Sequence, residues 1–172
     1  MRNPPKPTSA IIGAAGEHFG MAELLRRGLV AALAPQGAPN MDILIADERG
    51  QTLCSVKVKT RTQLGGDRGW HMGRKHESIR GDRLFYVFVD LGVPEGDAPS
   101  FFIIPADIVA ETVRKTHVAW LRNPGRNGHT RKDSDMRRIR PDYTSNDTNE
   151  PVDPCYSSGR MEPFRSAWGQ FS

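Results

Sequence analysis

The segment that decides the fold runs from residue 41 to residue 60 and reads MDILIADERGQTLCSVKVKT. Its first six residues are rich in β-branched side chains, which predicts a strand over 41–46. Turn-forming residues follow at 47–50, and apolar and polar side chains then alternate from Gln51 to Thr60. The segment therefore predicts a β-hairpin. On its return strand, Cys54, Val56 and Val58 share one face, and Leu53, Ser55, Lys57 and Lys59 share the other.

The elements on either side of this hairpin complete an α/β pattern. A helix is predicted from about Ser9 to about Arg27, and residues 29–33 are either a short strand or an extension of that helix. After the hairpin we expect a short helix over 74–80, strands over 84–90 and 100–104, and a helix from Ala106 to about Leu121. The fold class is therefore α/β, with a mixed central β-sheet flanked by helices. We expect a flexible N-terminal arm over 1–12, one domain over 13–140 and an irregular C-terminal tail over 141–172.

Composition excludes several classes of protein. The 172 residues are 37% hydrophobic and 26% charged, which suits one globular domain. No apolar run approaches the roughly 20 residues of a membrane span, and the N-terminus lacks the apolar core of a signal peptide. Two cysteines, Cys54 and Cys155, are too few for a disulfide scaffold. We therefore expect a cytoplasmic protein with reduced thiols and no membrane partner.

Positive charge is concentrated in two blocks, although the net charge is only +4. Residues 55–83 contain eight basic and three acidic side chains, and residues 122–140 contain seven basic and two acidic ones. Each block therefore has a net charge of +5. Two such blocks on one domain can form a phosphate-binding face, or they can be two solvated loops.

The hairpin also brings an acid close to two lysines. The turn centres near residue 48 or 49, and residues 42 and 56 lie about equally far from it, so Asp42 approaches Lys57 and Lys59. A carboxylate and a lysine at one sheet edge can hold a hard divalent cation and position a water for phosphodiester attack. A cross-strand salt bridge produces the same pattern. We interpret Trp70 and Trp120 as packing residues rather than base-stacking platforms.

Several short motifs resemble the PD-(D/E)XK nuclease superfamily, and in particular its small bacterial proteins with a Q-V-K-T-R signature. The resemblance covers roughly residues 13–140. The motifs are GE at 16–17, AELLRRG at 22–28, NMDILI at 40–45, VKVKTR at 56–61, GW at 69–70, KHE at 75–77, FYVFVDL at 85–91 and FFIIP at 101–105. The resemblance implies a restriction-endonuclease-like core with Glu17, Asp42 and Lys59 as catalytic residues. It also implies that Asp42 and Glu17 hold Mg²⁺, with Mn²⁺ as a substitute.

Lys57 departs from that pattern, because the superfamily places Glu, Asp or Gln at this position. An ammonium there removes a hard oxygen ligand and repels a cation. Three outcomes are open. Metal binding is lost, or a carboxylate such as Glu77 or Asp47 replaces the missing metal ligand. Alternatively, Glu17 and Asp42 are enough to bind the metal when a phosphate of the substrate adds a further ligand. An alternative register, Ser55-Val56-Lys57, restores a neutral oxygen but discards the match at 58–61, so we prefer the first register.

Three functions follow from these observations. The first is a DNA-acting protein of nuclease fold that hydrolyses phosphodiesters with Mg²⁺, and the resemblance leaves RNA and a homodimer open. The second is a non-catalytic nucleic-acid-binding module on the same fold. The third is an interaction subunit. The residues expected to contact phosphate are Lys57, Arg61, Arg68, Arg74 and Lys75.

Overall fold

The computed structural model describes residues 6–62, 69–92, 97–141 and 159–171. Its helices are α1 (Ser9–Leu25) and α2 (Ala106–Arg122). Its strands are β1 (Val30–Leu33), β2 (Ile43–Ala46), β3 (Thr52–Arg61), β4 (Trp70–Gly73), β5 (Leu84–Asp90), β6 (Ser100–Pro105) and β7 (Met136–Ile139). Short 3-10 turns cover Arg74–Glu77, Arg126–Gly128, Glu162–Phe164 and Trp168–Phe171. None of the described helices is long and apolar enough to cross a bilayer.

The central sheet has five strands in the order β1-β2-β3-β5-β6. Strands β1, β2 and β3 are antiparallel neighbours, β3 and β5 are parallel, and β5 and β6 are antiparallel. A parallel pair needs a crossover, and here the chain between β3 and β5 provides it. The mixed α/β fold predicted from the sequence is therefore confirmed.

The predicted hairpin is also confirmed. The Gly50 N–H donates to the Asp47 carbonyl at 3.0 Å, and Gly50 adopts φ +77°, a conformation that favours glycine. The Asp47 carboxylate accepts the N–H groups of Arg49 and Gln51, both at 2.9 Å, which closes the turn.

Hydrophobic residues cover both faces of the sheet. On one face, Val56 and Val58 of β3 pack in a cluster with Leu24 of α1. On the other face, Tyr86 and Phe88 of β5 pack with Val109 of α2 and with β4. Residues of β5 are buried on both sides, as the nearly continuous apolar run over 84–90 predicted.

Three sequence-based assignments need correction. Residues 136–139 form β7, which pairs with β4 in a two-stranded sheet, and neither of these strands was predicted from the sequence. Both strands have only four residues, and in β7 the buried Arg137 follows the exposed Met136, so a local apolar pattern does not indicate the pair. The predicted helix over 74–80 is a 3-10 turn over Arg74–Glu77. The first helix ends at Leu25 rather than at Arg27.

The division into arm, domain and tail stays a prediction. Helix α1 begins at Ser9, where the Thr8 hydroxyl accepts the Ile11 N–H at 3.4 Å. Near the other end of the chain, Trp168 and Phe171 belong to the same core cluster as Val56, and Arg165 forms a β-bridge with Phe102 on β6.

Helix α1 lies close against β3 because Gly16 has no side chain. A Cβ atom at Gly16 would lie 1.9 Å from the Thr60 Oγ1 atom, so any larger residue has to displace the helix or the strand. This contact brings the next residue, Glu17, close to β3.

We predict that Gly16→Ala lowers the free energy of unfolding by about 1–3 kcal/mol, because the added methyl group overpacks the contact with Thr60. Gly13 is the matched control, since a Cβ there meets no atom within 4 Å. Gly13→Ala should instead stabilise the helix by about 0.5–1 kcal/mol. Urea unfolding of both variants measures the difference, and equal stabilisation by both substitutions would contradict the close approach.

Candidate functional site

The acid Asp42 is fixed to strand β3. Its N–H donates to the Val56 carbonyl at 2.8 Å, and its Oδ2 atom accepts the Val58 N–H at 2.7 Å. The Lys57 Nζ atom lies 3.5 Å from Asp42 Oδ1, and these two side chains are only 12% and 22% exposed. Both carboxylate oxygens are therefore engaged within the hairpin.

The register differs by one residue from the estimate made by counting from the turn. Ile43 is paired with Val56, so Asp42 lies beside Lys57 rather than opposite residue 56. The reason is an irregularity between Ile45 and Ala46, which adds one residue to β3. The shift strengthens the predicted approach of Asp42 to Lys57.

Lys59 lies on the same side of β3 as Lys57, because side chains alternate along a strand. It is half-buried, and burial is the main cause that lowers the pKa of its ammonium group. The positive charges of Lys57 and Lys75 lower this pKa further, whereas Asp42 raises it. We call Lys57, Lys59 and Lys75 the lysine cluster.

A neutral pair of aromatic side chains forms the floor beneath the lysine cluster. Tyr86 is opposite Lys57 on β5, and its hydroxyl lies 2.7 Å from the His76 Nδ1 atom. Both side chains are buried. Burial, together with the charges of the lysine cluster, lowers the pKa of His76 to about 3, so its imidazole is neutral. Burial and the charge of Asp42 raise the pKa of Tyr86.

Sequence reasoning missed this pair as part of the site. Alternation along β5 could have indicated that Tyr86 faces α2. Its position beside Lys57, however, requires the register of the parallel strands β3 and β5, which no local pattern determines.

Glu17 lies on helix α1, within electrostatic range of Asp42 and Lys57. Burial raises the pKa of its carboxyl group, and the negative charge of Asp42 raises it further. The charges of His18 and Lys57 lower it. Asp42 and Lys59 thus lie together with Lys57, and Glu17 interacts electrostatically with Asp42 and Lys57. The catalytic roles of Glu17, Asp42 and Lys59 stay predictions.

The residues predicted to contact phosphate are arranged less uniformly. Arg61 is 18% exposed, donates from Nε to Asp90 Oδ2 at 2.9 Å, and has its guanidinium 4.1 Å from the Trp70 ring centre. Arg74 is half-exposed and pairs with Asp133 at 3.1 Å. Lys75 is exposed. Arg68 lies outside the described residues.

Neither of the acids proposed to replace the missing ligand is available for that role. Glu77 forms an ion pair with Arg137, whose side chain is only 4% exposed. Asp47 closes the hairpin turn at the other end of β2. Within the described ranges, no group of three or more His, Cys, Asp or Glu side chains could hold a metal ion.

The donor set therefore fits an anion better than a divalent cation. Mg²⁺ prefers several oxygen ligands, and here two carboxylates share their surroundings with three ammonium groups. Lys57 lies within ion-pair distance of Asp42, where it opposes the approach of a second cation. A phosphate oxygen would instead reduce the repulsion among the lysines.

The fold is similar to that of a protein of known structure, a bacterial homing endonuclease, I-Ssp6803I. The two share 14% sequence identity with a TM-score of 0.51, and the match covers 95% of this chain and 91% of the homing endonuclease. No protein-family model matches the chain, and no curated protein matches it. The likeness shows a nuclease-like fold.

We predict that two substitutions move the pKa of Glu17 in opposite directions. Lys57→Met should raise it by removing a positive charge, and Asp42→Asn should lower it by removing a negative one. The measurement is a titration of the Glu17 carboxyl carbon by NMR. Lys75→Met is the control, because Lys75 is not among the charges that shift Glu17. An unchanged Glu17 pKa in both test variants would show that Glu17 does not share a site with Asp42 and Lys57.

Proposed function

We propose that the chain acts on DNA, and that the lysine cluster binds a phosphate of the DNA backbone. The observation that carries the proposal is the position of the Lys57 Nζ atom, 3.5 Å from Asp42 Oδ1 and on the same side of β3 as Lys59. The nuclease-like fold supports DNA as the partner, because the similar structure is a homing endonuclease, and enzymes of that class act on DNA.

The charges of the cluster give a physical reason for phosphate binding. Burial and mutual repulsion lower the pKa of Lys59, so the protonated cluster is a strained arrangement of like charges. Asp42 offsets part of this repulsion, and a phosphate offsets more of it. Binding also releases the counterions that the DNA had condensed, which makes the affinity strongly dependent on salt.

Among the five residues predicted to contact phosphate, we assign the first contact to Lys75, which is exposed, with Lys57 and Lys59 beside it. Lys57, Arg61 and Arg74 each have an acidic partner within the fold, so DNA has to compete with Asp42, Asp90 and Asp133 for them. The contact of Arg68 with phosphate and the formation of a homodimer both stay predictions.

Metal-dependent hydrolysis by a protein of the PD-(D/E)XK superfamily is the second candidate function. The observation that favours it is the raised pKa of Glu17, caused first by burial and then by the negative charge of the Asp42 carboxylate. Glu17 and Asp42 would be the Mg²⁺ ligands and Lys59 the third catalytic residue. Since Lys57 pairs with Asp42 and a third acidic ligand does not face the site among the described residues, the residue set does not fit Mg²⁺ as it stands.

We predict that the protein binds duplex DNA in the presence of EDTA, with an affinity that falls steeply as salt rises from about 50 to about 200 mM. Lys57→Gln and Lys59→Gln should each weaken binding to all sequences similarly. Each should also reduce the slope of log affinity against log salt by about 1. Fluorescence anisotropy with labelled duplexes of unrelated sequence measures both quantities.

Arg49→Gln provides the charge-matched control for this experiment. Arg49 is exposed in the hairpin turn, at the opposite end of β2 from Asp42, so its loss should leave the slope unchanged. Equal slopes for all three variants would remove the lysine cluster as the phosphate site. Cleavage of the same duplexes in Mg²⁺ or Mn²⁺ but not in EDTA, abolished by Asp42→Asn, would favour the second candidate. If the protein binds no DNA at low salt, the remaining candidate function is that of an interaction subunit.

A further inference from the structure

The exposed tryptophan of the chain lies near the C-terminal end of α2. Trp120 is 40% exposed, whereas Trp70 and Trp168 are 1% and 6% exposed and pack in the two core clusters. The interpretation of Trp70 as a packing residue is therefore confirmed, and its Nε1 atom donates to the Val89 carbonyl at 2.9 Å. A role in the core would bury the indole, so packing alone does not explain why 40% of Trp120 is exposed.

Two nitrogen-containing side chains, His117 and Arg131, lie against this indole. The His117 ring stacks on it with a centroid distance of 5.4 Å and an interplanar angle of 25°. The Arg131 guanidinium lies 4.8 Å from the ring centre, and its NH1 atom donates to the Trp120 carbonyl at 3.2 Å. The ring is thus held in one orientation beside a cation, which is the combination that proteins use to stack nucleobases.

The same surface is connected to the lysine cluster through defined contacts. His117 Nε2 lies 2.8 Å from Asp133 Oδ1, and Asp133 Oδ2 accepts from Arg74 NH2 at 3.1 Å. Arg74 and Lys75 are neighbours in the 3-10 turn over Arg74–Glu77, and the charge of Lys75 acts on Lys59. A nucleic-acid strand at the lysine cluster can therefore continue past Arg74 toward Trp120, along a path that also carries the carboxylates of Asp133 and Asp135, both paired with Arg74.

We propose that Trp120 is a stacking platform for an unpaired base of the nucleic acid whose backbone the lysine cluster holds. The base takes a place against the indole, and the long side chain of Arg131 turns from the ring to the adjacent phosphate. A paired base inside a duplex cannot reach the ring face, so the ligand class is single-stranded DNA or a duplex with an unpaired end. This inference rests on the proposed function.

The three tryptophans allow a direct spectroscopic test. Because Trp70 and Trp168 are buried, stacking on Trp120 should quench the accessible part of the intrinsic fluorescence. The probe is an oligothymidylate of about ten nucleotides, titrated at low salt in EDTA. We expect quenching in the wild type and its loss in Trp120→Phe, which keeps an aromatic ring and should still bind the oligonucleotide.

Affinities measured by anisotropy complete the test. Trp120→Ala should weaken binding of the oligothymidylate about tenfold, the scale of one stacked base, and leave blunt-duplex binding within about twofold. Val118→Ala is the control, because Val118 is 36% exposed on the same helix and should not affect either affinity. Circular dichroism on all variants shows whether the fold is retained, and Trp120→Phe keeps the test valid if the alanine variant unfolds.

The outcomes separate this inference from the proposed function. Salt-dependent duplex binding with no quenching, and equal single-strand affinity for wild type and Trp120→Ala, would overturn the stacking role. The proposed function would survive that result, and the exposed indole would then be assigned to a protein partner. No binding of either DNA at low salt would remove the proposed function and the stacking role together.

Discussion

The hydrogen bond from the Val58 N–H to the Asp42 carboxylate fixes the start of β2 against the middle of β3. Side chains alternate along a strand, so a shift of one residue would exchange the two faces of the hairpin. With the observed register, Val56 and Val58 face helix α1, and Lys57 and Lys59 face the opposite side. The hydrophobic core and the charged site therefore depend on the same pairing.

The charges at this site are only partly compensated. Burial and Asp42 raise the pKa of Glu17, and burial and Lys57 lower the pKa of Lys59, so both ionised forms cost free energy in the folded protein. Groups perturbed by both burial and specific charged neighbours are characteristic of functional sites. The excess of positive charge is the reason that we propose a phosphate, rather than a metal cation, as the ligand of this site.

Local features of the sequence were sufficient to predict the hairpin. The turn chemistry at 47–50 and the alternation over 53–59 are contained in neighbouring residues, and the structure shows both. The extra residue opposite Ala46 has no local signal, so the predicted partner of Asp42 was one position away from the observed one. Because a shift of one residue exchanges the two faces, counting from the turn alone would have placed Asp42 on the face of Val56. The extra residue at the irregularity is what places Asp42 on the face of Lys57 and Lys59.

Non-local pairing explains what the sequence did not reveal. Arg61 was predicted to contact phosphate, but the parallel register of β3 and β5 places it beside Asp90. The pairing of Trp70 with Ile139 similarly creates the small β4–β7 sheet, and it buries a tryptophan that lies in a glycine-rich, basic stretch of sequence. Such contacts depend on the assembled fold and not on residues close in sequence.

We propose that Lys57 takes the position where a metal-binding nuclease has an acidic ligand, and calorimetric titration of Mn²⁺ tests this most directly. The wild type should bind Mn²⁺ weakly. Lys57→Glu should bind at least about tenfold more tightly, a gain of about 1.4 kcal/mol, and Lys57→Glu/Asp42→Ala should lose that gain. Tight Mn²⁺ binding by the wild type that Lys57→Glu weakens would contradict the claim and place Lys57 outside the site.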